Sequence, residues 1–94
     1  MPGEVNHRGW IVLTSVSSAD GAYCVDLFED PEGGYGFEHF RSEPEDNGRW
    51  TPVGAFGGAR FSSAAEAGRA ASVEVYWVAQ DPRARATLND HLDG

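Results

Sequence analysis

The stretch YCVDLFEDPEGGYGFEHF, residues 23–40, decides the fold. Two runs of alternating apolar and polar residues flank Asp30-Pro31-Glu32-Gly33-Gly34, and a period of two is the pattern of a strand with one buried face. Pro31 presets the first turn position and Gly33 supplies the left-handed residue of a three-residue loop, so the segment predicts a β-hairpin. Its register sets Leu27 against Phe37, Val25 against His39 and Asp26 against Glu38.

Two further hairpin signals lie on either side. Asp20-Gly21 and Asn47-Gly48 are residue pairs that tolerate the positive φ required at both centres of a type I′ turn. Closing the first on Ala19 and Ala22 joins strands of about 10–18 and 22–30, with Val16 opposite Val25, Thr14 opposite Leu27 and Leu13 opposite Phe28. Closing the other on Asp46 and Arg49 brings His39 near Phe56 and Phe40 near Ala55. The expectation is a four-stranded antiparallel meander over residues 10–57, preceded by a flexible N-terminus, residues 1–8.

Downstream the pattern changes to helix. Ser63-Ala64-Ala65-Glu66 is a capping box, in which serine and glutamate satisfy backbone donors of the first turn. The small residues Ala64, Ala67, Gly68 and Ala71, continued by Val75 and Val78, make a narrow stripe that lets a helix lie close on a sheet. Val73, Val75 and Trp77 alternate as a strand would, but no turn residue separates them from the alanine run, and one continuous helix is expected. Asp81-Pro82 supplies an N-cap and a first helical position for a short terminal helix reaching about Leu92. The fold class is therefore α+β, one small domain over 1–94: a meander, then a helical part over 62–92 with one helix on one face of the sheet.

Alternation divides the sheet into two unequal faces. Val12, Val16, Tyr23, Val25, Leu27, Tyr35, Phe37 and Phe56 form the face expected to meet the helix; Ile11, Leu13, Cys24, Phe28 and Phe40 lie on the other, among Gly36, Asp26 and Glu38. One helix and a short one hardly cover both sides, and an uncovered apolar patch marks an interface. Ile11, Leu13, Phe28 and Phe40, with Trp50 at the rim, are the candidate interface residues.

Charge and composition exclude several classes. Fifteen acidic against seven basic side chains leave a net charge of −8, which repels phosphate backbones and anionic lipid headgroups. The seven basic residues are all arginine and scattered, so no basic patch is visible. GGYGFEHF, residues 33–40, nearly spells the aromatic strand of RNA-recognition motifs, yet Gly33 stands where Lys or Arg belongs. Glu38 replaces an apolar residue there, and a hairpin precedes the strand in place of a helix; a nucleic-acid ligand is disfavoured. A single cysteine excludes an internal disulfide and suits a reducing compartment; no Cys-x-x-Cys or clustered His and Cys suggests a metal, and no cofactor motif is present. With no leader-like N-terminus and no long apolar run, a cytoplasmic protein without a membrane span is expected.

Asp26 and Glu38, opposite each other in the predicted register, are the candidate ligand-binding acids, with His39 the candidate base of a small-molecule site. In that register His39 points to the other face; only a shift of one residue pairs it with Asp26.

YGFEHF, followed by ARFSSAAEAGRAASV, resembles the YegP-like small βββα module, whose repeats end in an aromatic-Ser-Ser-x-x-x-Ala stretch leading into a helix. The likeness covers residues 34–75. This chain departs from the pattern in the inserted EPEDNGRWTPVG, in having no lysine and in showing no second copy of the unit. The resemblance implies a small sheet packed on a helix, with tandem or dimeric association, and implies no chemistry. The functional expectation is a binding or interaction module that pairs with itself or another protein through the second sheet face.

Overall fold

The computed structural model describes residues 9–43, 45, 47–54 and 56–89. The expectations for residues 1–8, for the closing Asp46, for Ala55 beside Phe40 and for a helix reaching Leu92 lie outside the described residues. Four antiparallel strands, β1 (Ile11–Ser17), β2 (Tyr23–Glu29), β3 (Tyr35–Glu43) and β4 (Arg49–Pro52), pair in sequence order. A 3-10 turn at Phe56–Gly58 leads to α1 (Ala64–Glu74), α2 (Tyr76–Ala79) and α3 (Pro82–Leu88). This is the α+β class that the sequence predicts.

The central hairpin has the predicted register, with Leu27 opposite Phe37, Val25 opposite His39 and Asp26 opposite Glu38. Its turn is built as Pro31 and Gly33 suggest: Gly33 N–H donates to the Asp30 carbonyl, Asp30 N–H to that of Gly34, and the Asp30 carboxylate accepts from Glu32 N–H. The first hairpin keeps its predicted pairing of Val16 with Val25 by a different turn. Gly21 has φ 75° whereas Asp20 does not adopt positive φ, and Gly21 N–H donates to the Ser18 carbonyl. The Asp20 carboxylate accepts from Ala22 N–H and the Ser18 hydroxyl, contacts that hold it below the usual carboxylate range.

Three expectations are corrected. A bulge between Val12 and Thr14 sets Val12, not Leu13, opposite Phe28; the extra residue turns Leu13 onto the helix-side core. The third hairpin closes on Glu43 and Arg49, so Phe40 faces Pro52. Asn47 and Gly48 do both take positive φ, but the shorter closure would have set Pro44, which has no N–H, inside the ladder. The single long helix is broken at Val75, whose extended backbone (φ −95°, ψ 110°) separates α1 from α2. The kink lets Val75, Trp77 and Val78 all turn inward.

Both predicted caps form. The Ser63 hydroxyl accepts from Glu66 N–H, and the Glu66 carboxylate accepts from the N–H and hydroxyl of Ser62. Asp81 accepts from the N–H groups of Arg83 and Ala84 ahead of α3. Val16, Val25, Leu27 and Phe37 meet Ala67, Ala71, Val75, Val78, Ala84 and Leu88 in one core between sheet and helices. At Gly68 a β-carbon would stand 2.4 Å from the Leu88 carbonyl oxygen, so glycine here lets α1 and α3 touch backbone to backbone.

Candidate functional site

The inner face of the sheet, toward the helices, is filled. His39 projects into it beside Tyr23, Phe56 and Trp77, and its Nε2 accepts a 3.0 Å hydrogen bond from the Trp77 indole N–H. The ring is therefore neutral with its proton on Nδ1, and burial pushes its pKa below the ordinary 6.5. Tyr35 and Phe37 also belong to this side, Phe37 being 1% exposed, so two of the three β3 aromatics that suggest RNA stacking pack in or against the core, and the third, Phe40, lies on the outer face. The predicted trio of Asp26, Glu38 and His39 is accordingly split: both carboxylates lie on the outer face, and His39 is sealed beneath the inner one. Strand alternation alone causes the split, since residues 38 and 39 point to opposite sides.

The outer face is closed at one end and open at the other. At the closed end Phe28 lies across Gly36, where a β-carbon would stand 2.6 Å from the ring. Trp10 stacks on Phe28 at 4.1 Å between centroids, and the Arg60 guanidinium sits 4.7 Å from the Trp10 ring. Arg60 is held there by Asp30, 2.9 Å away. The segment carrying Arg60 is tied to β3 by paired hydrogen bonds between Phe61 and Tyr35. Phe28, a predicted interface residue, is thus wholly buried, and Leu13 packs on the helix side. Ile11 is half-buried at the edge strand and Phe40 is 7% exposed.

At the open end the shortened third hairpin places Trp50 opposite Ser42 and Pro52 opposite Phe40, on the outer face. A depression of about 450 Å³ forms there, lined by Ser15, Cys24, Asp26, Phe40, Trp50 and Pro52. Trp50 keeps 43% of its surface exposed. The opposite wall is polar. Asp26 Oδ1 accepts from the Ser15 hydroxyl at 2.5 Å and from the Cys24 thiol at 3.5 Å. Burial, reinforced by the Asp26 charge, pushes the Cys24 thiol up to about 12, so it remains a protonated donor and not a nucleophile. Glu38, across the ladder from Asp26, is buried. Among the described residues no group of three or more His, Cys, Asp or Glu side chains is placed to hold a metal ion.

Of the predicted site residues, Phe40, Trp50 and Asp26 come together around this depression, whereas Ile11, Leu13, Phe28, Glu38 and His39 do not line it. Ser15 and Pro52 were missed. Ser15 was within reach of sequence reasoning, because pairing Val16 with Val25 sets Ser15 opposite Asp26. Pro52 required the true register of the third hairpin, and Trp10 required a contact between a segment outside the named strands and the sheet.

No helix among the described residues is long and apolar enough to cross a membrane. The chain matches no protein-family model, no curated protein and no solved structure, so the likeness of residues 34–75 to the YegP-like module rests on those residues alone.

Proposed function

We propose that this protein is a small cytoplasmic binding module without catalytic chemistry of its own, and that its recognition surface is the depression at the open end of the outer sheet face. The observation that carries the reading is the half-exposed Trp50 on a four-residue edge strand, beside Phe40, Pro52 and a fixed carboxylate. A large aromatic left in water next to a concave, mixed apolar and polar wall is the composition of an interface anchor. The separation of His39 from Asp26 and Glu38 supports a non-catalytic role, because an acid and a base on opposite sides of a sheet share no substrate.

Pairing of two copies, expected from the sequence, has weaker support. Phe28 and Phe40 are already buried, which leaves little apolar area beyond Trp50 and Pro52, and two chains of net charge −8 repel each other. The reading therefore takes a different protein as the partner. Nuclear magnetic resonance with a library of neutral aromatic fragments tests it on the full chain. Amide and indole shifts should cluster on Ser15, Cys24, Asp26, Trp50 and Thr51, and Trp50→Ala should abolish them. Shifts confined to the helical layer would refute this assignment.

A further inference from the structure

We propose that the outer-face depression receives a cationic side chain, a lysine ammonium or an arginine guanidinium, presented by a basic partner polypeptide. The inference rests on the depression being the binding site and adds the chemistry of its occupant. It starts from the company Asp26 keeps. Asp30 is paired with Arg60 and Glu43 with Arg41, whereas Asp20, Glu66 and Asp81 cap turns or helices. Asp26 alone among these is fixed by two neutral side-chain donors, Ser15 and Cys24, and both reach the same oxygen, Oδ1. Those contacts fix the carboxylate's rotamer and use the acceptor capacity of Oδ1, while Oδ2 accepts no hydrogen bond from the described residues and can meet a guest.

Trp50 supplies the second element. It lines the same depression as Asp26, and an indole face is the aromatic surface that attracts a cation most strongly. A carboxylate on one wall and an indole on another form a pair that a cation satisfies and a neutral or anionic group does not. At about 450 Å³ the depression falls within the roughly 300–1,000 Å³ of small-ligand sites, enough for one long side chain entering from outside. Net charge points the same way: at −8 the chain draws basic partners in and drives off nucleic acid, anionic membrane and further copies of itself.

The test is a pair of titrations of the isotope-labelled full chain at low salt, one with acetyl-arginine amide and one with acetyl-citrulline amide, its neutral near-isostere. Arginine should bind with a dissociation constant on the order of millimolar, shifting the Asp26 carboxylate carbon and the Trp50 indole. Citrulline should bind at least tenfold more weakly. Asp26→Asn, which keeps the side-chain shape, should bring arginine down to the level of citrulline, and Trp50→Ala should weaken arginine in a background where Asp26 is intact. Equal binding of the two amides, or arginine binding undiminished in Asp26→Asn, overturns the proposal. Should Asp26→Asn fail to fold, an unmoved Asp26 carboxylate carbon in the wild-type arginine titration overturns it as well. If neutral aromatic fragments occupy the depression and arginine does not, the cationic guest is wrong while the binding module stands. If neither enters, both fall.

Discussion

The two faces of one sheet both carry apolar side chains and meet opposite fates. On the inner face Val25, Leu27 and Phe37 are sealed by three short helices whose small residues bring backbone close to backbone. On the outer face the cover is local: Trp10 and Arg60 close over Phe28, and nothing described lies over Trp50. The difference lies in what each strand position has opposite it. Val16, Leu27 and Phe37 point to the face on which the helices pack, whereas Trp50, on the short edge strand β4, points to the opposite face. The inner face supplies the core, and the outer face keeps one end open.

That contrast can be broken from either side. The largest effect is expected at the inner face, where Phe37→Ala should remove about 3–5 kcal/mol, most of what a domain of this size possesses, as read by urea denaturation. A loss below 1 kcal/mol would mean the inner face is not the core. Next comes Gly68→Ala, whose added methyl meets the Leu88 backbone; α3 must move, and overpacking of this kind costs about 1–3 kcal/mol. Gly36→Ala should cost a comparable amount at the closed end of the outer face by driving Phe28 off its seat, and the near-ultraviolet signal of the Trp10–Phe28 stack should change with it.

The inner face also predicts a pH dependence. His39 is held neutral, with a folded-state pKa below 6.5, so the unfolded chain binds its proton more readily than the folded one. Its contribution is complete above about pH 6.5 and is lost as pH falls toward the depressed folded value. Protonation would also set an N–H against the Trp77 N–H. The melting temperature should fall between pH 7 and 5, and His39→Gln, which retains an acceptor but does not titrate, should fall less. Equal slopes in the two proteins would show that this buried contact is not what titrates. The smallest change in stability belongs to Trp50→Ala. At an exposed edge position it should stay within roughly 0.5 kcal/mol of wild type, while occupancy of the outer face by neutral aromatic fragments disappears.

Much of this architecture was legible where local chemistry and long-range pairing agree. The central hairpin could be read because Asp-Pro-Glu-Gly-Gly admits few turns and Val25-Asp26-Leu27 and Tyr35-Gly36-Phe37-Glu38 alternate on either side of it. The helix starts could be read because Ser63 and Asp81-Pro82 satisfy their own first turns. The bulge could not, since Ile11-Val12-Leu13 is apolar throughout and a run without alternation does not say which residue faces in. The Val75 break was hidden for a related reason: no glycine or proline marks it, and its benefit is burial of Trp77 against His39, a contact 38 residues apart. At the site, Asp26, Phe40 and Trp50 could be named in advance. Their grouping could not, because it depends on a third-hairpin register that differs from the one the Asn-Gly turn suggests, and the closing of Phe28 by Trp10 depends on a segment outside the sheet.

The most direct measurement of the central contrast is paramagnetic broadening by a neutral gadolinium chelate in solution, read residue by residue at high protein concentration. Strong broadening is predicted at the Trp50 indole and at Ser15, as strong as at the exposed Val73 and Tyr76 of the helical layer, with almost none at Phe37, His39 and Phe28. Protection of Trp50 equal to that of Phe37 would mean that a second copy covers the outer face, and would contradict an open site awaiting another partner.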